Sequence, residues 1–93
     1  MRDDYFEWDD RKAAANVRKH GVSFELARQV LGDQHAVEKL DVDEQDEDRI
    51  LLTGLAGTRL LTVCYVQRGT RCRIISARKA NNNEREAYNQ SNR

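Results

Sequence analysis

Ninety-three residues, 39 % hydrophobic and 34 % charged with no proline, make one domain with a single modest core and exclude a disordered chain. No apolar run approaches the roughly 18–20 residues that span a bilayer, and no basic-then-apolar leader opens the chain, so a cytoplasmic protein is expected. The net charge of zero conceals a division: residues 33–56 carry eight acids against two cations, and residues 57–93 eight cations against two acids.

Tyr5-Phe6-Glu7-Trp8 alternates large and polar side chains and predicts a short first strand. Asp9 is placed to cap a helix over 10–20, which contains the good helix formers Lys12 and Ala13 to Ala15. Gly21 stands where a left-handed C-terminal residue is wanted. Ser23 caps a second helix at once, with Glu25 favoured by the helix dipole. Leu26, Ala27, Val30 and Leu31 form its apolar stripe, and Gly32 stops it. Two helices joined so tightly fold back or cross sharply, and together they can cover one face of a sheet.

A weak strand over 36–42 leads into the acidic run 41–48, read as a solvated loop. Residues 49–53 form a strand and 54–58 a loop with two glycines. The stretch 59–67 (RLLTVCYVQ) is nearly continuously apolar and predicts a central strand buried on both faces. A turn over 67–70 sends 71–77 back antiparallel. Asn81 and Glu84 have capping-box spacing and start a last helix to about Asn89. The fold class is α+β: a small antiparallel sheet, helices on one face, two of them N-terminal and one closing the chain, in a single domain over 1–93.

Only Cys64 and Cys72 are present, too few for a disulfide framework, and with His20 and His35 they show no zinc-ligand spacing. They read as small buried hydrophobes on neighbouring strands, and neither a metal nor a cofactor is expected. No glycine-rich phosphate loop, G-x-S-x-G elbow or H-E-x-x-H occurs. The paired acids Asp9-Asp10 read as a cap, and Asp46-Glu47-Asp48 as part of the solvated loop.

The last hairpin and the helix after it gather Arg59, Arg68, Arg71, Arg73, Arg78, Lys79 and Arg85. Twelve of the sixteen cations are arginine, which suits bidentate phosphate binding and base stacking. Charge alone leaves a phosphate-rich partner and a solvated surface both open. Alternation along a strand puts Arg71 and Arg73 on one side and Cys72 and Ile74 on the other. Arg78 falls on the opposite parity unless the strand bends, which leaves its face open. Tyr65, depending on the turn register, and Tyr88 could each be a stacking platform for an unstacked base or an ordinary packed aromatic. Cleaving RNA without a metal requires a base for the 2′-hydroxyl, cations for the charge at phosphorus, and an acid for the departing 5′-oxygen. His20, Lys19, Glu84, Lys79 and Tyr88 are the side chains available for proton transfer. Histidine exchanges protons near neutral pH. His20 also ends a helix, where the dipole favours it for structural reasons alone.

Phe6-Glu7-Trp8-Asp9, Lys12, Asn16, Lys19-His20-Gly21-Val22-Ser23-Phe24 and Ala27 resemble the opening signature of the BrnT toxins. The closing signature is resembled by Arg73-Ile74-Ile75-Ser76-Ala77-Arg78-Lys79-Ala80, Glu84-Arg85 and Tyr88. Arg49 after its acidic lead-in and the 63–68 stretch also fit, so the likeness spans about 5–88. It implies a RelE-like fold, ribonuclease activity that blocks translation, and a BrnA-like ribbon-helix-helix antitoxin. The complex would be a heterotetramer that represses its own promoter, reaching operator DNA through the antitoxin. By this resemblance Arg73, Arg78, His20, Lys19 and Tyr88 are the expected catalytic positions. Arg68, Arg71, Lys79, Arg85 and Tyr65 are the expected RNA contacts. Asn81-Asn82-Asn83 stands where Thr or Arg residues are typical, which leaves less positive charge near the active face. The same fold would also serve a non-catalytic inhibitor of a protein target such as DNA gyrase, or a degenerate toxin kept as antitoxin partner and corepressor.

Overall fold

The computed structural model describes residues 1–41 and 48–92. The chain opens with a two-residue strand, β1 (Phe6–Glu7), and Asp9 then starts helix α1 (Asp10–His20) by accepting the amides of Arg11 and Lys12. Gly21 ends the helix at φ 68°, and its N–H returns to the Val17 carbonyl. Ser23 caps α2 (Phe24–Ala27), which tightens directly into a 3₁₀ helix over Arg28–Gly32. The expected second helix is thus one α-turn followed by a narrower coil, and of the predicted apolar stripe Ala27 and Val30 are buried while Leu26 and Leu31 are half-buried against the core.

Strands β2 (Val37–Leu40), β3 (Ile50–Ala56), β4 (Arg59–Arg68) and β5 (Arg71–Lys79) follow, and α3 (Asn82–Ser91) closes the fold. The sheet order is β1-β5-β4-β3-β2. Every pairing is antiparallel except the first: β1 lies parallel to β5, with Phe6 opposite Cys72 and Glu7 opposite Arg73. The antiparallel expectation is corrected at this edge, because alternation reveals a strand but not its partner. The loop expected over 54–58 shrinks to a two-residue turn in which Gly57 takes φ 62°. Gly54 belongs to β3, where a Cβ would stand 3.0 Å from that of Ala36 and 3.2 Å from Val30. Glycine there lets the 3₁₀ segment lie directly on the sheet.

The two faces of the sheet bury different things. Leu61, Val63, Ile74 and Ala77 turn toward the N-terminal helices and close around Val22, Phe24, Ala27 and Val30. Trp8 joins this core with its ring edge-on to Phe24, centroids 5.8 Å apart. A smaller cluster of Leu60, Ala80 and Tyr88, with Val37 beside it, lies on the other face under α3. The expectation that all helices share a face therefore holds for α1 and α2 only. Tyr88 is the one buried residue of α3, and the side chains it packs on project away from the first core.

Cys64 is buried and Cys72 half-buried, and the two are not joined by a disulfide. No helix among the described residues is long and apolar enough to cross a membrane. Residues 42–47 of the acidic run lie outside the described residues.

Asn16 is the one buried residue of α1. Its amide donates to the carbonyls of Val22 and Ala77 at 2.9 and 2.8 Å, and its oxygen accepts the Ala77 N–H at 3.1 Å. It thereby completes β5 beyond the reach of the two-residue β1. Asn16→Ala should lower stability by about 2–4 kcal/mol, because buried backbone groups lose their partners. A drop in the urea midpoint with an unchanged slope would show it. Gly54→Ala should cost about 1–3 kcal/mol by overpacking in the same assay.

Candidate active site

The arginines of β5 are brought onto one face by an irregularity in the strand. Arg71 and Arg73 pair with Arg68 and Val66, while Ser76 and Arg78 pair with Cys64 and Thr62. The register shifts between Cys64 and Tyr65, so Ile75 is the extra residue of a β-bulge. All four β4 partners are even-numbered, and β4 is regular. Arg68, Arg71, Arg73 and Arg78 therefore share the face that α3 covers in part. Without the bulge, Arg78 would point into the core beneath α1. Tyr65 is opposite Ile50 and Ile74, on the other face, so it does not stand across from the arginines.

The guanidinium groups of Arg71, Arg73 and Arg78 are each oriented by a partner. Arg73 meets the Glu7 carboxylate at 2.8 Å across the β1–β5 pairing. The Arg71 Nε–H donates to the backbone carbonyl of Asp3 at 2.7 Å. Arg78 is held most firmly, by a bidentate pair to Glu84 at 2.7 and 2.9 Å. Glu84 also accepts the Thr62 hydroxyl and the Asn81 amide, each at 2.9 Å, and the Thr62 hydroxyl lies 2.7 Å from that of Thr53. Partial burial pushes the Glu84 carboxyl up, but the hydrogen bonds from Arg78, Asn81 and Thr62 outweigh it and hold it at about 2. The pairing leaves donors over: a guanidinium has five N–H groups, and Arg78 still has its Nε–H and one Nη2–H for a ligand.

Tyr88, one turn beyond Glu84 on α3, directs its hydroxyl elsewhere. It donates to Asp33 at 2.7 Å, and this bond raises the phenol to about 12. The same Asp33 carboxylate accepts the amides of Leu55 and His35 at 2.9 Å. Tyr88 thus fastens α3 to the β3 edge. Lys19 and His20 are exposed at the C-terminal end of α1, a helix anchored on Ala77 and Val22. Lys79 is paired with Leu61 on the face opposite Arg78, and with Arg85 it lines a cleft at the end of the sheet. The ten expected site residues therefore divide: four arginines share one face, Tyr88 stands beside them in a structural bond, and the rest lie elsewhere.

Sequence reasoning passed over Glu7, Asp33 and Thr62. Thr62 had left a signal, as a polar residue in an otherwise apolar strand. Glu84 was legible as a capping residue and a titratable group, but its hold on Arg78 was not. Among the described residues no three His, Cys, Asp or Glu side chains come together as metal ligands.

A mixed sheet with N-terminal helices on one face, and a row of arginines with a C-terminal helix on the other, is a small α+β domain of the RelE-like kind. The chain belongs to the BrnT toxin family: residues 8–84 match the model of the ribonuclease toxin BrnT of type II toxin–antitoxin systems. It is accordingly an endoribonuclease toxin that works as half of a toxin–antitoxin pair. A comparison with curated proteins finds no match.

The folded value of Glu84, about 2, lies below the ordinary 4.5. Its pairing therefore stabilises the fold above about pH 4.5, and that contribution is lost as pH falls from 4.5 toward 2. Glu84→Gln should flatten this part of the stability profile by about 2 kcal/mol between pH 7 and pH 3, read from denaturant unfolding at the two pH values.

Proposed function

We propose that this toxin cuts RNA by metal-independent transesterification on the sheet face that carries Arg71, Arg73 and Arg78. A base takes the proton of a 2′-hydroxyl, the freed oxygen attacks the adjacent phosphorus, and an acid protonates the departing 5′-oxygen. Negative charge grows on the non-bridging oxygens during the attack. Rigid donors aimed at those oxygens lower the barrier, because no reorganisation is needed when the charge appears. The observation that carries this reading is the bulge-aligned row of guanidinium groups, with Arg73 and Arg78 each oriented by a carboxylate and each retaining N–H donors.

In this reading Arg73 and Arg78 stabilise the pentacoordinate phosphorus, and Arg68 and Arg71 hold the strand beside it. His20 and Lys19 stand at the end of α1, the helix that packs on the opposite face of the sheet, and stay outside this step. Tyr88 acts as a positioning residue, through α3 and Glu84. Tyr65 serves packing rather than base stacking.

The consequence is blocked translation in the cytoplasm until a cognate antitoxin binds. The family's description supports the toxin–antitoxin pairing itself. A BrnA-like ribbon-helix-helix antitoxin, a heterotetrameric complex and repression of the shared operator through the antitoxin complete the proposal.

Purified toxin incubated with RNA tests the site. Arg73→Ala should lower the cleavage rate about 10²–10³-fold, the usual effect of losing one such donor. The same loss is expected for Arg78→Ala combined with Glu84→Gln, a pairing that leaves no bare carboxylate behind. Full activity in both variants, with circular dichroism intact, would move the site elsewhere. His20→Ala should keep the wild-type cleavage rate, and a loss as large as that of Arg73→Ala would bring the end of α1 into the site.

A further inference from the structure

Arg59, Lys79 and Arg85 lie apart from the arginine face, around a cleft of about 270 Å³ at the end of the sheet, floored by the buried Leu60 and Leu61 and edged by Thr58. All three cations are exposed, and among the described residues none has an acidic partner, whereas Arg28, Arg73 and Arg78 are each paired with a carboxylate. The reason is local. The cross-strand partner of Arg59 is Ala56, and that of Lys79 is Leu61. Arg85 has Asn81 and Asn89 at the helical spacing where an acid would sit. The acids of α3 are engaged elsewhere, Glu84 with Arg78 and Glu86 with Gln90. Three cations converging on a concavity with an apolar floor are unfavourable in the free protein, and a bound anion relieves their mutual repulsion.

We infer that this cleft is a second phosphate site, which holds a backbone phosphate of the RNA at a distance from the phosphodiester that is cut. The inference rests on the nuclease reading for the identity of the strand, and on the cleft alone for the phosphate. Arg78 and Lys79 are consecutive in β5 with side chains on opposite faces. A strand bound at both sites would pass over the end of the sheet, from the arginine face to the cleft. The contact reads no base, so it adds affinity without sequence preference.

The test uses a fluorescent 2′-O-methyl RNA oligonucleotide, which cannot be cut because the attacking hydroxyl is blocked. Replacing Arg59, Lys79 and Arg85 together by Gln should weaken binding at low salt by at least about tenfold. It should also reduce the slope of log K against log salt by about 0.7 for the one phosphate released. A DNA oligonucleotide of the same sequence should lose the same factor, since the phosphate is common to both. A charge-matched control, R11Q/K12Q/R18Q on the exposed surface of α1, should keep wild-type affinity and slope. Unchanged affinity and slope in the cleft variant, with an unchanged melting temperature, would overturn the inference even if the wild type cuts RNA. A wild type that cuts no RNA, but whose cleft variant loses oligonucleotide affinity, would refute the nuclease reading and leave the cleft standing.

Discussion

The Glu84 carboxylate takes hydrogen bonds from three parts of the chain at once: the Arg78 guanidinium of β5, the Thr62 hydroxyl of β4, and the Asn81 amide that opens α3. The helix start, the sheet surface and an arginine of the proposed site are therefore one electrostatic unit. A carboxylate so well satisfied stays ionised far below neutral pH, and it fixes the guanidinium on the side where donors remain free. The helix gains its cap from the same group. Such sharing explains how a polar ten-residue helix, with Tyr88 as its one buried side chain, holds its place on the sheet.

The bulge at Ile75 has a comparable reach. Strand alternation is strict, so a run of arginines at 71, 73 and 78 cannot share a face in a regular strand. One inserted residue changes the phase between Ile74 and Ser76 and brings Arg78 into line. It also turns Ala77 inward, where its backbone meets Asn16. The insertion that forms the arginine face thus also seats α1, and that face and the main core share one structural cause.

The cations fall into two populations with different physical roles. Arg73 and Arg78 are paired and half-buried, which lowers the net charge of their face but fixes the direction of each donor. Arg59, Lys79 and Arg85 are exposed and without acidic partners among the described residues. Directed donors suit charge that develops at one atom, whereas mobile cations suit the attraction of a polyanion. The strong division of charge along the sequence therefore resolves in space into two kinds of positive surface.

Local rules were enough for most of the elements. Asp9, Ser23 and Asn81 cap their helices as their side chains dictate, Gly21 ends α1 in the left-handed conformation, and the apolar 59–67 stretch is the central strand. Each of these depends on neighbours within a few residues. The resemblance in two long motifs led to the family for the same reason, since signatures are linear. What depended on distant pairing was not legible: the parallel docking of β1 on β5, the placement of α3 opposite the other helices, and the face on which Tyr65 lies. The register of β4 against β5 decided which arginines stand together, and Glu7 and Glu84 became their orienting partners, and Asp33 that of Tyr88, only once the sheet had closed. Hydrogen-bond register and side-chain parity are relations between strands, and a one-residue insertion reverses them without any mark in local composition.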